Sequence, residues 1–171
     1  MVDEKRVEGI RRRAHVYDQY SGCSQSVLLA LQEGLGIGSR ESFKSATVLS
    51  GGVARRGETC GALLGALMAL GLVSGRERME DTDQYVQAVG IADEICDGFQ
   101  RRLEAEFGFA EPLGSTLCRD IQARIYGRSF DLRDPDQREA FLAAGGHSDE
   151  GCYKVCGIAA EVAAERLLKL M

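Results

Sequence analysis

Apolar residues return every three or four positions along most of this chain, and clusters of glycine interrupt them, a pattern that predicts helices joined by tight turns. Val7, Ile10, Ala14 and Tyr17 form one such stripe and predict an amphipathic helix over about 3–20, ended by Ser21-Gly22. Val27, Leu28 and Leu31 predict a second helix over about 23–32, stopped by Gly34 and Gly36. Ser39 reads as the N-cap of a third, over about 40–49. A glycine-rich loop from Ser50 then leads into a very apolar helix over about 60–73. There Gly61, Gly65 and Ala69 recur every four residues, which costs helix propensity and allows close backbone approach. That stripe serves packing within the chain, with a homodimer as the alternative reading.

Tyr85, Val89, Ala92, Cys96, Phe99 and Leu103 give a long helix over about 82–107 its buried stripe. Ser115 reads as the N-cap of a helix reaching Tyr126 and closed by Gly127. Asp134-Pro135 marks the start of a short helix that ends at Gly145-Gly146. Ser148-Asp149-Glu150 opens the last helix, whose apolar face carries Val155, Ala159, Val162 and Leu167. No alternating run predicts a strand. The expected fold is all-α, a single-domain helical bundle of about six to eight helices spanning residues 1–171.

Composition narrows the function classes. The chain has 171 residues, 44% of them hydrophobic, enough for a continuous core without covalent staples. A formal charge of -5 repels phosphate backbones, and Arg11-Arg12-Arg13 is too short to reverse that field, so no nucleic-acid partner is expected. The amino terminus mixes both charges with no apolar run behind it, which predicts no secretory signal and a cytoplasmic location. The apolar stretch Ala62 to Val73 is too short to cross a bilayer, so no membrane insertion is expected.

Six cysteines depart from the ordinary for such a chain. Cys23, Cys60, Cys118 and Cys152 each fall at or near the amino end of a predicted helix, where unpaired amides and the macrodipole favour an anion. A thiolate is such an anion, and it is the form that attacks disulfides or binds metals. Converging, the four would hold a sulfur-ligated metal centre or poise two dithiol pairs. Arg55 and Arg56 would add positive charge near Cys60. Cys96 sits mid-helix in a core stripe and reads as structural, while Cys156, one turn beyond Cys152, fits either the core or the site. His15 and His147 lack zinc-finger or paired-histidine spacing and read as solvated or core residues.

The blocks Gly22-Cys23-Ser24-Gln25, Gly57-Glu58-Thr59-Cys60-Gly61-Ala62-Leu63-Leu64-Gly65, Cys118-Arg119-Asp120 and Cys152-Tyr153-Lys154 together resemble the redox-active proteins named for their cysteine pattern, C_GCAxxG_C_C. The resemblance spans nearly the whole chain and implies four functional cysteines, Cys23, Cys60, Cys118 and Cys152, with Cys156 the other candidate for the last position. A similar domain accompanies haem-binding segments in some cytochromes of anaerobic bacteria, so the resemblance implies electron transfer through a cysteine-ligated iron–sulfur centre with a redox partner still to be named. This chain lacks a Cys-x-x-Cys-His haem attachment site. Two other readings stay open: thiol–disulfide exchange without metal, and a structural zinc-binding or interaction module.

Overall fold

A computed structural model describes residues 3–171; Met1 and Val2, which open the mixed-charge amino terminus, lie outside them. The last helix, α8 (Cys152–Leu167), is the hub. Its sequence from Val155 to Ala164 is almost entirely small or apolar, so it can be covered on several sides at once, and ten of its residues are buried. Around it pack α1 (Glu4–Tyr17), α2 (Cys23–Leu35), α4 (Gly61–Ser74) and α5 (Thr82–Phe107). Arg11 on α1 bridges Glu106 on α5 and Glu161 on α8, and Arg102 on α5 also reaches Glu161, which ties three helices together at their half-buried rim.

The remaining elements close the ends. α3 (Arg40–Ser45) follows Ser39, which caps it as the sequence predicts, and the Ser42 side chain returns the bond by accepting from the Ser39 amide. A single 3-10 turn, Thr47–Leu49, completes the stretch expected to be one helix. α6 (Cys118–Tyr126) and α7 (Pro135–Ala143) carry a satellite core of Phe130, Leu132 and Phe141 packed against Tyr126 and Cys152. Asp134 caps α7 by accepting from the Gln137 amide, with Pro135 at the first helical position. The class is all-α; the one β-type pairing among the described residues is an isolated bridge, Thr59 to Leu117.

Several boundaries move from the sequence reading. α1 stops at Tyr17 and a 3-10 turn, Asp18–Tyr20, completes the expected segment. α2 runs through Gly34 to Leu35 and ends at Gly36, which takes the left-handed conformation at φ 70°. Gly34 is a packing residue: a Cβ there would overlap the Ile10 side chain of α1. Ser115 does not cap α6; its hydroxyl donates to Asp120 and accepts from the Leu117 amide, and the helix starts at Cys118. Likewise α8 starts at Cys152, after Gly151.

The expected buried stripe of α5 holds only in its second half. Phe99 and Leu103 are fully buried, as is Ile95, but Tyr85 and Val89 are each 49% exposed and Cys96 is half-buried. The cause is length, since α5 with 26 residues spans about 39 Å against about 24 Å for the 16 residues of α8, so its first turns overhang. Arg76 covers part of the overhang, its guanidinium 4.7 Å from the Tyr85 ring centroid.

The small-residue stripe of α4 is used inside the chain. Gly65 meets the Ser24 carbonyl of α2, where a Cβ would overlap that oxygen, and Ala69 is fully buried. Helix propensity alone would make Gly65→Ala stabilising by about 0.5–1 kcal/mol. The close crossing reverses the sign: G65A is expected to destabilise the apo-protein by roughly 1–3 kcal/mol, read as a lower midpoint in urea.

Candidate functional site

The four cysteines expected to converge do so. Cys23, Cys60, Cys118 and Cys152, together with Cys156, line one pocket of about 290 Å³ between the amino ends of α2, α4, α6 and α8. Its other walls are largely apolar, Ile121, Ile125, Leu132, Phe141 and Val155 among them, and the exposed Arg55 and half-buried Arg138 also border it. Arg56 does not line it, so one of the two arginines expected near Cys60 does. Cys96 lies elsewhere on α5, and His15 pairs with the exposed Asp149 at 2.8 Å.

Backbone geometry sets each sulfur in place. The Thr59–Leu117 bridge draws the approaches to α4 and α6 together: the Cys60 amide donates to the Thr116 carbonyl at 2.8 Å, and the Cys118 amide to the Glu58 carbonyl at 2.7 Å. Two thiols distant in sequence thereby become neighbours at two helix starts. Gly61 lets the Cys23 sulfur in, since a Cβ there would stand 2.5 Å from Cys23 Sγ. Gly52, at φ 70°, passes against Cys118, whose Cβ would be 2.7 Å from an added Cβ. The Cys152 amide donates to the Gly146 carbonyl at 2.9 Å, closing the turn that opens α8.

The loop before α4 is strained. Gly51, Gly52, Val53, Ala54 and Arg55 all have positive φ, and each of the three non-glycine residues costs about 1–2 kcal/mol in that region. The turn they form aims the Gly51 amide at Cys23 Sγ, where it favours the thiolate. Strain stored this way collects at functional sites.

Other side chains hold the sulfurs. Gln122, buried on α6, donates from Nε2 to Cys118 Sγ at 3.4 Å and accepts from the Phe130 amide at 2.8 Å. Tyr126 Oη lies 3.5 Å from Cys152 Sγ and 3.2 Å from the Gly146 carbonyl. With its one proton given to Gly146, it accepts from a neutral Cys152 thiol; turned to the sulfur, it donates to a thiolate.

Electrostatics overturn one expectation. Helix ends predict activated thiolates, and the Ala62 and Leu63 amides do favour the charged form of Cys60. Burial outweighs them. Desolvation raises the pKa of all five pocket cysteines above the ordinary 9.0, Cys118 to about 12, and repulsion from neighbouring would-be thiolates adds to it at Cys23, Cys118, Cys152 and Cys156. The same burial raises Asp18, which also lines the pocket, from 3.8 to about 7, moderated by the Cys156 thiol and Ser26 hydroxyl nearby. At neutral pH the pocket thiols are therefore neutral unless a ligand offsets this burial.

Among the described residues, no three Cys, His, Asp or Glu side chains stand close enough to enclose a single metal ion. A tetrahedral zinc site needs its sulfurs about 2.3 Å from one point, and this arrangement does not fit it. A polynuclear centre spreads its thiolate ligands around a larger core, and five thiols around a 290 Å³ pocket fit that donor set. Among the described residues no helix is long and apolar enough to cross a membrane.

The family C_GCAxxG_C_C, described as a putative redox-active protein, matches residues 21–166. The chain belongs to the C_GCAxxG_C_C family. No curated protein and no solved structure matches it. The family name orders its second block Gly-Cys-Ala, whereas this member reads Cys60-Gly61-Ala62, and the fold shows what this order does: Cys60 is the residue just before α4 and Gly61 admits the Cys23 sulfur.

Asp18, Gln122 and Tyr126 escaped the sequence reading as pocket residues, and His147 was read there only as solvated or core. None has a motif of its own, and each reaches the pocket through tertiary packing. His147 is half-buried and lies beside Asp18, so the core reading describes it in part.

The raised thiols carry a pH signature. A neutral group stabilised by folding contributes fully below its unfolded pKa and loses that contribution as pH climbs toward the folded value. The apo-protein is therefore expected to lose stability as pH rises from about 9 toward 12, more steeply than a Cys118→Ala variant, in thermal melts under reducing conditions. A wild-type melt flat across that range would show thiols with ordinary pKa values.

Proposed function

We propose that this member of the redox-active family is an electron carrier in which Cys23, Cys60, Cys118 and Cys152 ligate an iron–sulfur centre in the shared pocket. The observation that carries this reading is the convergence of sulfurs from four helix starts on a single, mostly apolar pocket. Such a centre, when bound, supplies one-electron transfer.

The chain's own groups do the rest. Four thiols lose their protons on ligation, and the amides of Gly51, Ala62 and Leu63 then stabilise the charge that burial opposes in the empty state. Gln122 donates to Cys118 and Tyr126 turns its proton to Cys152, the kind of outer contact that orients ligands and sets potential. Ile121, Ile125 and Phe141 exclude water, and Arg55 gives the approach a positive charge that suits an anionic electron partner.

A second reading rests on the closeness of Cys23 to the start of α4. There Cys23 and Cys60 would lose two protons and pass two electrons to a disulfide substrate, forming one S–S bond while the substrate's is reduced to two thiols.

Anaerobic incubation with ferrous iron and sulfide separates the two. Wild type is expected to retain iron through gel filtration with a visible absorption bleached by dithionite, Cys60→Ser to lose both, and Cys96→Ser to keep both. A wild type that retains no iron but titrates as a two-electron dithiol would replace the first reading with the second.

A further inference from the structure

Asp18 stands out among the groups around the pocket. It lies in the 3-10 turn between α1 and Cys23, ahead of the family match, and none of the cysteine blocks includes it. Its side chain is 0% exposed, and among the described residues neither carboxylate oxygen has a hydrogen-bond partner. An ionised carboxylate in that state is costly unless a cation or donors balance it.

The Cys156 thiol and Ser26 hydroxyl nearby offset only part of that cost. Ser26 Oγ donates to the Gly22 carbonyl at 3.0 Å, and the Cys156 thiol is turned toward the Cys23 carbonyl at 3.9 Å. His147 Nδ1 is 3.6 Å away, beyond hydrogen-bond length, and burial holds its ring toward the neutral form. Among the described residues no lysine or arginine pairs with Asp18, and Arg11 is committed to Glu106 and Glu161. The carboxylate thus faces a sulfur-lined pocket in want of a positive charge.

We propose that Asp18 is an oxygen donor to the metal group held in this pocket, completing a mixed sulfur and carboxylate ligand set. The proposal rests on the iron-centre reading above. It gives the buried acid a role: iron held in the pocket would take a hard oxygen ligand beside its soft sulfurs. The 3-10 turn that positions Asp18 leads directly into Gly22-Cys23, so one local structure presents both donors.

The test compares wild type with Asp18→Asn, which keeps the shape and removes the charge. In the apo-state at pH 8, D18N is expected to melt at the same temperature as wild type or higher, because an unpaired buried charge is gone. After anaerobic loading with ferrous iron and sulfide, D18N is expected to lose iron to a mild chelator about tenfold more readily, and the reduced centre to show a shifted electron paramagnetic resonance spectrum. Unchanged retention and spectrum would overturn the proposal. So would an apo-D18N that melts lower or fails to fold, which would make Asp18 a structural residue. A wild type that takes up no iron is a separate outcome: it removes the iron-centre reading itself, and with it this one.

Discussion

The contact between α2 and α4 is the constraint on which the site depends. Gly65 brings the two backbones together at the Ser24 carbonyl, and Gly61, one turn earlier, leaves room for the Cys23 sulfur. Both glycines weaken α4 as an isolated helix, and the loss is offset where α2, α4 and α8 bury Leu28, Leu31, Leu63 and Ile158 completely. A side chain at either glycine would part the helices that carry Cys23 and Cys60. The same residues therefore serve the core and the chemistry, which is why the block is legible as a motif.

Two opposed electrostatic effects meet in the pocket. The Gly51 loop amide at Cys23 and the helix-end amides at Cys60 stabilise a thiolate, whereas burial among Ile121, Phe141 and Val155 penalises one, and burial prevails. A metal bound there would change the balance by supplying positive charge at short range, so that the amides and Gln122 would no longer compete with desolvation alone. Neutral thiols in this pocket would be consistent with thiolate ligation. The first also leaves the thiols poor nucleophiles toward alkylating or oxidising agents until something enters.

Much of this was readable in the chain. Capping residues Ser39 and Asp134, the long apolar α4 and the span of α5 follow from local chemistry and appear as expected. The exposed first half of α5 does not, because its burial depends on how far its neighbours extend and not on its own periodicity. Gly34 misleads for a related reason: a helix-ending glycine and a close-packing glycine look alike until Ile10 is known to face it. At the site, the cysteines were visible through their recurrence at helix starts. Cys156 could not be placed without knowing which way α8 turns, and Gln122 or Asp18 had no pattern to mark them, since their partners lie in other segments.

The distribution of unsatisfied groups argues that the pocket was shaped by something other than stability. Among the described residues, the buried side-chain atoms without a hydrogen-bond partner belong to Asp18 and His147 alone, and both residues line it. The five consecutive positive-φ residues border it as well, through Gly51 and Arg55. Elsewhere the local signals agree with the fold, with capped helices, paired charges at the α1, α5 and α8 rim, and an apolar core free of orphaned groups. Among the described residues, the place where buried side-chain polar atoms go unpaired is also the place where backbone strain collects, so the local signals conflict with stability at the pocket and agree with it elsewhere.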